Sequence, residues 1–347
     1  MTRGNLLCTY AAVAAFACTS LTACATSEAV GRPDQTSKPV IEDPPGRPGG
    51  RTLFIAMPDS RDFLDARRGL VTEIKKDFNV TTFVVTPTTT VDDFAAAIAK
   101  STPVCLVLMN NTTLALFQKY QARLGGQATP PAVVLMTSFL EEASSRLKRI
   151  TGIAYEVPAV TGFIHLRMVI TSRIDRVGVI FRPALGPFVE RQKALAVREG
   201  IEIVPMAVPA DASAEQLRSA LRTLGERGKV DALWLLNDNA LIRDGAFIAA
   251  TWRPVLQDIN LPLLVGVPNL VDPAEPFGTL SVVPDHESLG LQAANLIFDL
   301  ADNDWNVSDH AIELPLSVKT VVDVKQVREH FGLRPDAMQH VDRALDE

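Results

Sequence analysis

The sequence predicts an α/β protein made of two doubly wound parallel-sheet units. Three observations lead there. From residue 51 onward, short apolar runs rich in Val, Leu and Ile alternate with segments of helical period. The alternation restarts after residues 150–158, and near its end the chain carries further strand and helix signals that return to both units. One long sheet explains the alternation equally well, but not so readily these late returns.

In the first unit, strands are expected at 52–57, 80–85, 105–109 and 132–136. Each run is too short for a helix and apolar throughout, as strands buried on both faces should be. Between them, 63–76, 91–100, 113–124 and 139–147 carry amphipathic spacing. In the second unit, strands are expected at 176–181, 203–208, 232–236 and 262–265, with helices at 187–198, 214–227 and 242–257. The late returns are a strand at 278–283, a helix at 288–301 and a strand at 312–322.

Ahead of these units, Arg3 precedes a mostly apolar stretch over 6–17 and then Leu21-Thr22-Ala23-Cys24. That order marks an export signal, expected to span residues 1–23. Its apolar core is shorter than the roughly 20 residues a membrane-spanning helix needs. The tetrapeptide resembles the bacterial lipobox, which implies lipidation of Cys24, a palmitate-type anchor in a membrane and a periplasmic or other extracytoplasmic location. Ala25 stands where an aspartate would hold the product in the inner membrane, so outer-membrane sorting stays open. Residues 24–50, rich in Pro, Gly, Ser, Thr and charge, read as the lipidated cysteine followed by a flexible tether.

Composition narrows the function. Of 347 residues, 47% are hydrophobic, enough for a full core, and the net charge of −6 comes with no Lys/Arg stripe interleaved with aromatics. Nucleic acid is therefore not an expected partner. Of the 4 cysteines, Cys8 and Cys18 fall in the signal and Cys24 is the lipid site. Cys105 is left inside an apolar run, as a small buried hydrophobe. No disulfide framework and no metal cluster follows. There is no Gly-x-Ser-x-Gly elbow, no Gly-x-Gly-x-x-Gly opening a helix, no phosphate loop and no metal-spaced histidine pair. An enzyme is not expected, and neither is a cofactor.

The stretch Ile150-Thr151-Gly152-Ile153-Ala154-Tyr155-Glu156-Val157-Pro158, followed by a helix and then Arg176-Val177-Gly178-Val179-Ile180-Phe181, resembles the lobe crossover of ABC transporter substrate-binding proteins with the type I periplasmic fold. Similar too are Val230-Asp231-Ala232-Leu233-Trp234-Leu235-Leu236-Asn237-Asp238-Asn239, the Leu289-Gly290 helix start and a closing strand leading to 327–333. The resemblance implies two lobes joined by a three-strand hinge, with a small solute bound between them and an ABC permease as partner. It places lobe 1 at 51–156 plus 284–310, lobe 2 at 157–283 plus 311–335, and a tail at 336–347. A receptor that reports its ligand to a sensor or surface complex shares this fold and differs only in its partner.

Two routes lead to the same candidate residues, the family's cleft and the rule that ligands of open α/β sheets sit beyond the carboxyl ends of strands. They are Asp59, Ser60, Asn110, Asn111, Thr137 and Ser138 in the first lobe, and Asn237, Asp238, Asn269 and Asp285 in the second or at its edge. Thr88, Thr89 and Arg182 lie in the same set of loops. Each has a competing role, because Ser, Thr, Asn and Asp are also what a strand-to-helix turn uses for capping. Asp238, flanked by two amides, is expected to pair with a solute amine unless it only makes the turn.

Two departures from the family matter. Asp285-His286-Glu287-Ser288-Leu289-Gly290 stands where the family often has an aspartate followed by two tyrosines, and Met136-Thr137-Ser138-Phe139 replaces a Ser-Asp-Pro-like turn. The family's aromatic or branched amino-acid ligands are therefore not carried over. His286 is expected as a solvated helix-start residue more than as a cleft ligand. The expected solute is a small polar organic molecule, an amino acid or related carboxylate.

Overall fold

The computed structural model describes residues 41–346. The export signal, Cys24 and the first part of the tether lie outside the described residues. In the first lobe the chain runs β1 (Thr52–Met57), α1 (Arg61–Ile74), β2 (Asn79–Val84), α2 (Val91–Ser101), β3 (Cys105–Met109), α3 (Asn111–Arg123), β4 (Ala132–Leu135), α4 (Leu140–Ser144) and β5 (Ile150–Gly152). These strands form one parallel sheet in the order β2-β1-β3-β4-β5. Every residue of β3 and β4 is buried, because helices cover both faces, and that is why the strands read as unbroken apolar runs.

The second lobe contains α5 (Ala159–Val169), β6 (Arg176–Phe181), α6 (Gly186–Ala196), β7 (Glu202–Ala207), α7 (Ala214–Arg222), β8 (Ala232–Leu235), α8 (Asn239–Ile242), α9 (Gly245–Ile259), β9 (Leu263–Val265) and β10 (Leu280–Pro284). The chain then returns to the first lobe for α10 (His286–Asp302) and back for β11 (Val318–Asp323) and β12 (Arg343–Leu345). The second sheet has the order β12-β11-β10-β9-β8-β6-β7, parallel except for the β10/β11 pair. Each sheet has an apolar core on both of its faces. The α/β class of two doubly wound lobes is as the sequence predicts.

Helix starts follow local chemistry. Thr90 and Asp93 form a reciprocal capping box at α2, and Ser213 and Gln216 do the same at α7. Helices α1 and α10 pack backbone to backbone. A Cβ on Gly69 would lie 2.0 Å from the Glu287 carbonyl oxygen, and one on Gly290 would lie 2.0 Å from that of Ala66. This contact fixes α10 to the first lobe although both its flanking strands belong to the second.

Three features differ from expectation. The three crossings between lobes are not three matching strands: after β5 the chain is irregular, before α10 only Asp285 separates β10 from the helix, and after α10 the chain passes through turns before β11. The first and third are joined by one parallel bridge between Ile153 and Glu313. Residues 41–50 are not a free tether. Asp43 accepts from the Thr82 amide (2.8 Å), the Thr82 hydroxyl (2.6 Å) and Arg67 (2.8 Å), while Ile41 packs on the first-lobe core. A strand edge with free amides was available to them, and composition alone does not reveal it. Finally, the expected tail contributes β12, parallel to β11, and Ala337 is fully buried in the second lobe.

Candidate functional site

A pocket lies where the two lobes meet beside the first crossing. Its floor is the carboxyl ends of β8, β9 and β10, through Leu236, Asn237, Gly266 and Pro284, with Pro158, Ala159 and Gly162 at the start of α5. Tyr155, Glu156 and Val157 of the crossing form one side, Trp234 another, and Phe139 of the first lobe closes it. Its volume is about 40 Å³, room for a few water molecules at most. An amino-acid-sized solute enters only if the lobes part.

Backbone geometry sets this arrangement. Phe139 sits at φ 53°, a left-handed conformation that costs energy in a residue with a Cβ. Its amide donates to Glu156 Oε2 at 2.9 Å, which holds the turn. The ring thereby meets Phe188 of α6 edge-on, with centroids 5.2 Å apart, across the gap between lobes. Close by, Arg191 of α6 donates to Glu142 at 2.6 Å and lies 2.8 Å from Glu141, both on α4. A Cβ on Gly266 would come within 2.7 Å of the Asn237 amide, which reaches across to the Gly266 carbonyl, so a larger residue there would push the Asn237 side chain aside.

Glu156 is the member of the set with an unmet acceptor. Oε2 is satisfied, but Oε1 is buried and has no hydrogen-bond partner. Burial pushes its carboxyl up to about 7, opposed by the amides of Phe139 and of Glu156 itself and helped by the negative charge of Glu142. Beside it, the Tyr155 hydroxyl lies 3.1 Å from His286 Nε2, and His286 Nδ1 lies 3.5 Å from Asp62. A carboxylate can only accept, so Nδ1 donates toward Asp62, while Nε2 shares a hydrogen bond with the Tyr155 hydroxyl. The hydrogen bond with His286 holds Asp62 below the usual carboxylate range, and burial raises Tyr155 above the ordinary phenol value.

No protein-family model matches the sequence, and no curated protein does. Solved structures do match in shape. A substrate binding protein with adhesive properties from Clostridium difficile, in its ligand-free, open form, is 13% identical with a TM-score of 0.61, over 86% of this chain and 100% of that one. A conserved domain protein from Vibrio cholerae is 16% identical with a TM-score of 0.55, over 85% and 99%. An ABC domain from Streptococcus pneumonia in complex with L-Trp is 16% identical with a TM-score of 0.53, over 85% and 100%. Together with two parallel sheets and three crossings, this decides the fold. The chain has the type I periplasmic-binding fold.

Within the type I fold, the residues anticipated from sequence do mostly local work. Asn110 caps α3 by accepting from the Thr113 amide, at φ 89°. Asn111 and Ser138 bind each other reciprocally, through the Ser138 amide to Asn111 Oδ1 (2.9 Å) and Asn111 Nδ2 to the Ser138 carbonyl (3.2 Å), and so tie two loops together. Thr137 is fully buried, 3.4 Å from the Leu135 carbonyl. Asp59 and Ser60 are exposed at the start of α1, Thr88 and Thr89 belong to a turn before α2, and Asn269 is exposed in a single helical turn. Asp285 caps α10 and pairs with Lys319 at 2.9 Å. Of the ten, Asn237 lines the pocket.

Asp238 and His286 both have partners within the protein. Asp238 takes the turn-making role that was its alternative to a solute contact. Arg182 grips both its oxygens, Nε to Oδ2 at 2.6 Å and Nη2 to Oδ1 at 2.8 Å, and the side chain also caps α8. His286 is not solvated, since its side chain is 11% exposed and bridges Tyr155 and Asp62. The pocket residues that sequence reasoning missed are Phe139, Tyr155, Glu156 and Trp234. One signal was present: the pair Tyr155-Glu156 interrupts a crossover segment whose other members are apolar or small.

Proposed function

We propose that this chain is an extracytoplasmic solute-binding protein serving an ABC-type importer. In this reading it captures a small organic solute, an amino acid or related molecule, between its lobes and closes by hinge motion. Lobe 1 (51–156 with 284–310) and lobe 2 (157–283 with 311–335) move as two bodies, and lipidation of Cys24 holds the protein on a membrane. The observation that carries the reading is the pocket itself: it lies at strand ends of one lobe, is roofed by Phe139 of the other, and has Glu156 of the crossing in its lining. A ligand drives closure only through contacts that exist in the closed form, and a site shared by two lobes provides them.

The neighbours support a binding role over an enzymatic one, and one of them was crystallised with L-Trp. Aromatic side chains absent from the helix start at 286–287 are supplied here by Phe139, Tyr155 and Trp234, so an apolar or aromatic solute body suits the walls. The test is thermal shift and calorimetric titration of the full chain against amino acids, amines and organic acids. A ligand at about 100 times its Kd adds roughly 2.7 kcal/mol to native stability. Binding by one or more members, lost on Trp234→Ala, supports the reading, and an absence of binding across the panel removes it.

A further inference from the structure

We propose that Glu156 is a proton-operated catch on the hinge: neutral, it keeps the turn before α4 of the first lobe set against α6 of the second, and parting of the lobes releases its proton to solvent. The inference rests on the hinge motion proposed above and adds a regulator to it.

The Glu156 carboxyl belongs to the first crossing, and its Oε2 accepts from the Phe139 amide at 2.9 Å. That bond holds Phe139 in its left-handed turn, at φ 53°, directly before α4. The contacts of this segment with α6 follow from the turn. The Phe139 ring meets Phe188, and Glu141 and Glu142 reach Arg191. One carboxyl on the crossing therefore sets the placement of the whole contact between α4 and α6.

The surroundings of that carboxyl decide its charge. Oε1 is buried without a hydrogen-bond partner, so ionisation in this arrangement strands a charge away from water. No packed element relieves it. On α4, Glu142 adds negative charge, and with Glu141 it already occupies Arg191, the cation that α6 brings. On the crossing, Tyr155 is bonded to His286 at the start of α10, which faces Asp62 of α1. The ends of β8, β9 and β10 and the start of α5 bring to the shared pocket only apolar residues, Gly162, Gly266 and Asn237. With the lobes in contact the carboxyl thus keeps its proton up to about pH 7. Once lobe 2 withdraws its side of the pocket, water reaches the carboxyl and the proton leaves near the ordinary value of 4.5. Between those values the closed form holds a proton that the open form has lost, so closure is favoured at low pH and opening as pH rises.

The experiment follows the full chain without solute, by the mean distance between fluorophores on exposed residues of α3 and α7, from about pH 5 to about pH 8. The expected result is an equilibrium that moves at least about tenfold toward open between about pH 5 and about pH 7 and levels off above. Glu156→Gln, which still accepts from the Phe139 amide but cannot ionise, should hold one distance across the range. Glu142→Gln, which removes the neighbouring negative charge, should move the midpoint to lower pH, and it carries the test if circular dichroism shows E156Q unfolded. A wild-type distance that solute changes but pH does not, a pH response that survives in E156Q, or an unmoved midpoint in E142Q overturns the inference and leaves the hinge reading intact. A distance that neither pH nor any solute of the panel changes overturns both.

Discussion

Asp238 illustrates how a residue's partners decide its role. Its side chain is 2% exposed and its two oxygens are matched by a guanidinium that is 31% exposed. Removing one member of a buried pair leaves the other uncompensated, at about 3–5 kcal/mol, and the partial exposure of Arg182 reduces this to about 2–3 kcal/mol. Asp238→Ala should therefore lower stability by that amount in denaturant unfolding while changing affinity for any cleft ligand little. A large loss of affinity with unchanged stability would return Asp238 to the binding site. Glu156 makes the opposite prediction. Its value rises from 4.5 to about 7 on folding, so between those values the native state holds a proton that the unfolded chain has lost. Stability then falls as pH rises through that window. Glu156→Gln should match wild type near pH 5 and exceed it by about 1–3 kcal/mol near pH 8. Equal pH profiles for the two proteins would show that the carboxyl is not desolvated. From sequence, Asn110, Asn111, Ser138 and Asp238 were legible as loop polar residues, but capping, loop tying and ligand contact use the same side chains. Which one applies depends on partners distant in sequence, 27 residues away for Asn111 and 56 for Asp238.

At the scale of elements, the short helix α4 and the helix α6 form the contact between lobes. Arg191 bridges to Glu141 and Glu142, and Phe139 meets Phe188. These ion pairs are partly exposed, so each contributes about 0–1 kcal/mol to holding the lobes together. Arg191→Ala should shift the open–closed balance by up to a few-fold toward open, read as a longer mean distance between fluorophores on the two lobes, and salt should mimic it. A distance independent of both would mean that α4 and α6 do not act as a latch. The strands and the long helices were legible because burial on two faces leaves an apolar run and burial on one leaves a 3.6-residue period. Helix α4 was overestimated because 139–147 has helical spacing, yet Phe139 turns left-handed and the helix ends at Ser144. Strand β12 was missed because its exposed side chains carry no hydrophobic pattern, and the bonds of the Thr320 amide and hydroxyl to Asp342 help hold the segment leading to it beside β11.

For the molecule as a whole, Asp43 docks beside β2, so under the proposed lipid anchor and hinge motion lobe 1 would be the tethered body and lobe 2 the one that swings. Cys24→Ser should abolish incorporation of labelled fatty acid into the chain, and incorporation that persists in the mutant would sink the lipid-anchor proposal. Closure of the two lobes on a small solute held between them is what the proposed function requires. It is tested most directly by small-angle scattering of the full chain, alone and saturated with the tightest-binding member of the solute panel. The account predicts a smaller radius of gyration in the complex, abolished by Trp234→Ala at the same solute concentration. A scattering profile that a saturating solute leaves unchanged would contradict it.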